Sequence, residues 1–147
     1  MAPLICLTAA FLIFRAIGLE WHYFANWQMA MRAALGAMFL LTASAHWGRR
    51  RADMVRMVPE LMGNAGFWVS FTGLIEITIA AGLQFPRVAP RAAATGVVML
   101  CCLFPANVKA AREHLTIVRK PVMPVLPRLL LQILFIAALV SSVLPIR

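Results

Sequence analysis

The sequence predicts an all-α fold, an integral membrane helical bundle. Three observations carry that expectation: an excess of apolar residues, five apolar stretches of similar length, and basic residues gathered between them. Of 147 residues, 63% are hydrophobic and 13% charged, and the mean hydropathy is +0.85. Soluble domains are about 45–50% apolar and about 25% charged, and a chain this short lacks the interior volume to hide the surplus. Alternation of period two is absent from the sequence, which argues against a membrane barrel.

The five stretches cover residues 3–19, 29–47, 68–85, 91–108 and 126–144. Each is about 17 to 19 residues, close to the ~20 that cross a hydrocarbon core as a helix. The first carries Arg15 and ends in Gly18-Leu19-Glu20. It lacks the basic n-region and small-residue cleavage site of a signal peptide, so it is expected to be a retained helix with Arg15 snorkelling to an interface. In the second, Ala33, Ala34, Gly36 and Ala37 are small residues that let helices pack closely in lipid. The third holds Gly73 and, well inside it, Glu76. RAALG at 32–36 and RAAATG at 91–96 open the second and fourth alike, a hint of internal duplication. Pro86 and Pro90 bracket the short turn before the fourth, and Pro121, Pro124 and Pro127 stiffen the approach to the fifth.

Charge sets the expected orientation. Lys and Arg number 14 against 5 acidic residues, a net charge of +9. The segments 48–67 and 109–125 hold Arg49, Arg50, Arg51, Arg56, Lys109, Arg112, Arg119 and Lys120. The opposite side has Arg87, Arg91 and Arg147, with Arg32 at a helix start. The positive-inside rule then puts the N-terminus in the cytoplasm and the C-terminus outside a bacterial inner membrane. Trp47 and Trp68 flank the basic 48–67 segment, and Trp21 and Trp27 flank the first outer one, as an interfacial aromatic belt would. No basic stripe with interleaved aromatics exists to track a phosphate backbone, so nucleic acid is not an expected partner. Cys6, Cys101 and Cys102 show neither zinc spacing nor C-x-x-C. They read as small hydrophobes in apolar segments.

Polar residues inside a span are costly to bury unless they are paired. Glu76 lies about 12 Å below the cytoplasmic boundary at ~1.5 Å per residue. By depth, His46, Asn107, Arg128 and Gln132 share its half of the bundle, and the i, i+4 spacing of Arg128 and Gln132 puts both on one helix face. Asn107 can reach this polar layer while Pro105 frees backbone that is satisfied there. Polar side chains also glue membrane helices together for roughly 0.6–2 kcal/mol each, so the layer reads as a working site or as packing.

The same residues carry a resemblance. Ala45-His46-Trp47, Thr72-Gly73-Leu74-Ile75-Glu76 with Ala80-Ala81-Gly82-Leu83, Phe104-Pro105-Ala106-Asn107 and Arg128 with Gln132 resemble, in order, the motifs of the DoxX family of small bacterial membrane proteins. The resemblance covers residues 29–144. It implies a four-helix domain over 29–147 with an internal polar pocket, and residues 1–20 as the additional N-terminal transmembrane helix of longer, five-helix members. It also implies a link to quinone-coupled membrane redox systems. The expected site assigns Glu76 and His46 as catalytic and Asn107, Arg128 and Gln132 as substrate-binding, with no metal. A quinone is the cofactor under consideration. Lipid, a membrane redox subunit and a second copy of the chain are the partners under consideration.

Three functions follow from that site. The first is binding of a small lipophile, as an oxidoreductase or an accessory subunit. The second is cofactor-independent acid–base chemistry on a lipophilic substrate, with Glu76 as acid and His46 as base. The third is a non-catalytic chaperone or structural subunit.

Overall fold

The computed structural model describes residues 1–113, 116–117, 120–121 and 123–144. Arg119 and Arg147, counted among the orienting charges, lie outside the described residues. The elements are α1 (Ala2–Ile17), α2 (His22–Ala25), α3 (Trp27–Ser44), α4 (Arg51–Met57), a 3-10 turn at Glu60–Met62, α5 (Ala65–Gly82), α6 (Ala89–Arg112) and α7 (Val125–Ser141). Between α6 and α7, β1 (Thr116–Ile117) and β2 (Lys120–Pro121) pair antiparallel, Thr116 opposite Pro121.

Local chemistry explains where the helices begin. The Asn26 side chain accepts the Gln28 N–H at the start of α3, and Asn64 accepts the Phe67 N–H at the start of α5. Each cap satisfies a donor that the helix itself leaves unpaired, for about 1 kcal/mol. Proline stands in the first turn of α1 and of α6, where its missing N–H costs nothing.

α3 packs on α1 and α5, α5 on α6, α6 on α7, and α7 returns to α3. α3, α5, α6 and α7 thus form a ring of four, with α1 outside against α3. Leu35, Phe39, Ile79, Leu83 and Leu139 fill the centre. A Cβ on Gly96 would stand 3.0 Å from a Leu139 methyl, so α6 and α7 touch closely there.

α5 and α6 are long and apolar enough to cross a membrane, while α1 and α7 are apolar helices of 16 and 17 residues. The outward faces are apolar too, with Leu12, Leu40, Leu74, Val98, Leu130 and Ile133 exposed.

Two segments differ from the sequence reading. α6 does not stop near Asn107 but runs on to Arg112 with Pro105 inside it. Pro105 has no N–H for the Cys101 carbonyl, but the Lys109-Ala110-Ala111-Arg112 run beyond it favours helix enough to resume the ladder. Residues 48–67, expected only as a basic connection, hold α4 and the 3-10 turn. Arg51 fixes them in place by donating to the His46 carbonyl (2.9 Å), the Ser70 hydroxyl (3.0 Å) and the Gly66 carbonyl (3.2 Å).

Candidate functional site

The site is built from a glycine outward. His46 follows α3 directly, and its ring lies on α5 where Gly73 leaves room. A Cβ at Gly73 would come within 2.8 Å of His46 Cβ and Cγ and of Trp47 Cη2. The Thr72-Gly73 pair therefore has a steric reason: no side chain at 73 permits this seat.

Once seated, His46 Nδ1 lies 2.5 Å from the Val69 carbonyl oxygen and 3.4 Å from the Thr72 hydroxyl. A carbonyl only accepts, so Nδ1 carries the proton and donates it. That fixes the ring with Nε2 toward α5, where Glu76 Oε2 stands 3.5 Å away. The pair is withdrawn from solvent, His46 at 2% exposure and Glu76 at 6%. Charge-assisted hydrogen bonds of this kind are about 2.7–2.9 Å long, so the gap is an electrostatic contact with slack. Oε2 is buried and has no hydrogen-bond partner among the described residues. Buried polar atoms are rarely left so.

A second polar pair joins α6 to α7. Arg128 Nη1 donates to Asn107 Oδ1 at 2.6 Å, and Arg128 Nε donates to the Met123 carbonyl at 3.1 Å. A guanidinium cannot accept, so the contacted amide atom is the oxygen and Nδ2 is left with its two hydrogens.

Both pairs meet at one cavity of about 470 Å³. His46, Thr72, Glu76, Thr95 and Asn107 supply its polar groups; Ile75, Val98, Met99 and Leu103 are among its apolar walls. Met54 and Met57 of α4 and the exposed Met62 of the 3-10 turn line the end nearest the charged segments, and the Lys109 ammonium holds that cap by donating to the Val58 carbonyl at 3.1 Å. Phe71 on α5 and Val98 and Cys102 on α6 border the cavity and are also exposed, so it opens through the side of the bundle between these two helices.

Of the five residues expected at the site, three line the cavity: His46, Glu76 and Asn107. Arg128 lies behind Asn107 and orients it. Gln132 is half-buried on α7 and does not border the cavity. Arg15, expected to snorkel, donates to the carbonyls of Phe24 and Ala25 and so ties α1 to α2.

Sequence reasoning passed over the methionine cap and Arg51. Arg51 stands in a run of three arginines, where nothing marks one as structural. It also passed over a polar cluster at the far end of the bundle. There Arg32 Nε donates to the Ser142 carbonyl (2.9 Å), and Gln28 Nε2 donates to the carbonyls of Ser141 (3.2 Å) and Leu144 (2.5 Å). Gln84 Nε2 donates to the carbonyls of Ala80 (2.9 Å) and Arg32 (3.2 Å). Arg32 is buried while Arg91, its counterpart in the repeated RAA, is exposed, so the two copies sit in unlike surroundings.

Fold and site together define a helical-bundle protein with a buried His–Glu pair on the wall of an apolar, side-opening cavity. The chain belongs to the family described as a domain of unknown function, DUF8561, whose model matches residues 35–143. That span holds all five expected site residues and begins within α3, leaving out α1 and α2. Neither a curated protein nor a solved structure matches the chain.

Proposed function

We propose that the chain is a multi-pass membrane protein, DoxX-like in kind, that binds a small lipophile in the cavity beside His46 and Glu76. One observation carries the reading: a largely apolar cavity of about 470 Å³ has in its wall a buried glutamate, Glu76, whose Oε2 has no hydrogen-bond partner among the described residues. Binding sites for small molecules have this make-up, apolar walls with a few convergent polar groups. Further support comes from the motifs, since His46, Thr72, Glu76, Pro105, Ala106 and Asn107 all border the same space. In this role the protein serves a membrane redox system, as oxidoreductase or accessory subunit, and a quinone is the ligand class proposed. A quinone supplies two-electron chemistry that consumes protons, and His46 and Glu76 are the side chains at the cavity wall able to exchange them.

The bilayer reading, with five spans in a bacterial inner membrane, draws on the exposed apolar faces, which a soluble monomer seldom carries in such extent. It also draws on charge. Arg49, Arg50, Arg51, Arg56, Lys109 and Arg112 lie at the end of the bundle where α3 and α6 finish, the cytoplasmic end under this reading. A reporter active only in the cytoplasm, fused at residue 147, is expected to stay silent; activity there reverses the orientation.

The direct test is gentle purification in detergent, then mass spectrometry of the organic extract with elemental analysis, for wild type and Glu76→Gln together. A stoichiometric lipophile in wild type that the variant lacks is the expected result. An empty wild type beside an equally well-folded variant would turn the assignment to a structural subunit.

A further inference from the structure

We propose that the lipophile carries a hydroxyl in its polar head, so that it belongs to the alcohol or phenol class, and that it enters sideways from the bilayer between α5 and α6. This rests on reading the cavity as a lipophile site and specifies what that site recognises.

The head is read from two atoms of the wall. Glu76 Oε2 is an acceptor, buried and without a hydrogen-bond donor among the described residues, and His46 Nε2 stands off at 3.5 Å. A carbonyl or ether head would set one acceptor against another there. A hydroxyl supplies the missing donor. Across the cavity wall Asn107 offers the complement. Its oxygen is held by Arg128, which leaves the Nδ2 hydrogens to donate to a ligand oxygen. The wall thus asks for a head that both donates and accepts. A hydroxyl does both, as in the reduced quinol form of a quinone; the oxidised quinone's carbonyl only accepts, and a hydrocarbon does neither.

The route is read from the cavity's edges. Towards the charged end, the space is covered by Met54 and Met57 of α4, with the partly exposed Met62 of the 3-10 turn beside them, a cap anchored through Arg51 and Lys109. On its flank, Phe71 is 42% and Val98 62% exposed while both border the cavity. Their helices, α5 and α6, are the two long and apolar enough to cross a membrane. An opening at that height meets acyl chains, so the ligand arrives with an apolar tail that stays in the mouth.

The test uses the full chain in phosphatidylcholine nanodiscs containing equal mole fractions of 1-decanol, decyl methyl ether and undecane. These share a tail and differ in the head. Protein is transferred to detergent, chromatographed, and its bound probes are counted by gas chromatography. Decanol is expected at about tenfold or more over the ether, because leaving a buried acceptor unpaired is the larger part of a hydrogen bond's worth. Asn107→Asp, which keeps an oxygen for Arg128 but loses the amide hydrogens, should cut decanol retention several-fold and leave undecane unchanged. Val98→Trp, at an exposed site in the mouth, should lower retention of every probe.

Equal retention of the three probes by wild type would overturn the hydroxyl assignment and leave the lipophile site standing. Retention of none would overturn the site itself. Decanol held equally by wild type and Val98→Trp would overturn the lateral route.

Discussion

The bundle buries polar side chains at both ends, and the two ends use them differently. Midway along α3, a Cβ on Gly36 would lie 2.5 Å from Gln84 Nε2, so the glycine admits the end of the Gln84 side chain. Gln84 donates to the carbonyls of Ala80 and Arg32, while the buried Gln28 and Arg32 donate to those at the end of α7. These are the carbonyls a helix end leaves unpaired. Donor meets acceptor, and the end is sealed. Where α3 finishes, Gly73 admits His46, which meets a carboxylate with slack and stands beside a cavity. Buried polar side chains thus close one end and leave the other with an acceptor to fill. Burial of a polar group alone therefore does not identify a site; an unmatched group beside free space does.

Four substitutions press on that contrast. Arg32→Met should have the largest effect on stability, a loss of about 2–3 kcal/mol, because it removes a charged donor from a buried carbonyl. Reversible unfolding in mixed micelles measures it; a variant as stable as wild type would mean that Arg32 does not clamp α7. Glu76→Gln should invert the pattern, with unfolding free energy within about 1 kcal/mol of wild type because Oε2 gives up no hydrogen bond, yet with the copurifying lipophile gone. Loss of stability with the ligand retained would make the two ends alike. Arg128→Gln should cost about 1 kcal/mol and lower ligand retention in part, since Asn107 remains but is no longer held. Gln132→Leu should change neither quantity, and a lost ligand in that variant would show that the cavity extends to α7.

Much of this arrangement is legible in the sequence, for reasons that differ by residue. The five long helices announce themselves because apolar runs near twenty residues are rare outside hydrocarbon or a deep core. Glu76 stands out because an acid in such a run demands a partner, and His46 is the titratable side chain at the right depth. Gln28 and Arg32 stay hidden because they sit near a helix start, where a polar residue normally faces water. Their burial depends on α7 returning to α3, a long-range contact that no local pattern encodes. Gln132 misleads in the opposite sense. Its spacing from Arg128 gives it the same helix face but says nothing of how far down α7 the cavity reaches.

The cap over the cavity has a consequence for selectivity. Met54, Met57 and Met62 present unbranched thioethers, which repack around unlike shapes at small cost. If the cavity takes a lipophile as proposed, such a wall fits the body of the ligand without measuring it. Discrimination then falls to the few polar atoms of His46, Glu76 and Asn107, and compounds that share a head but differ in shape elsewhere would compete on nearly equal terms.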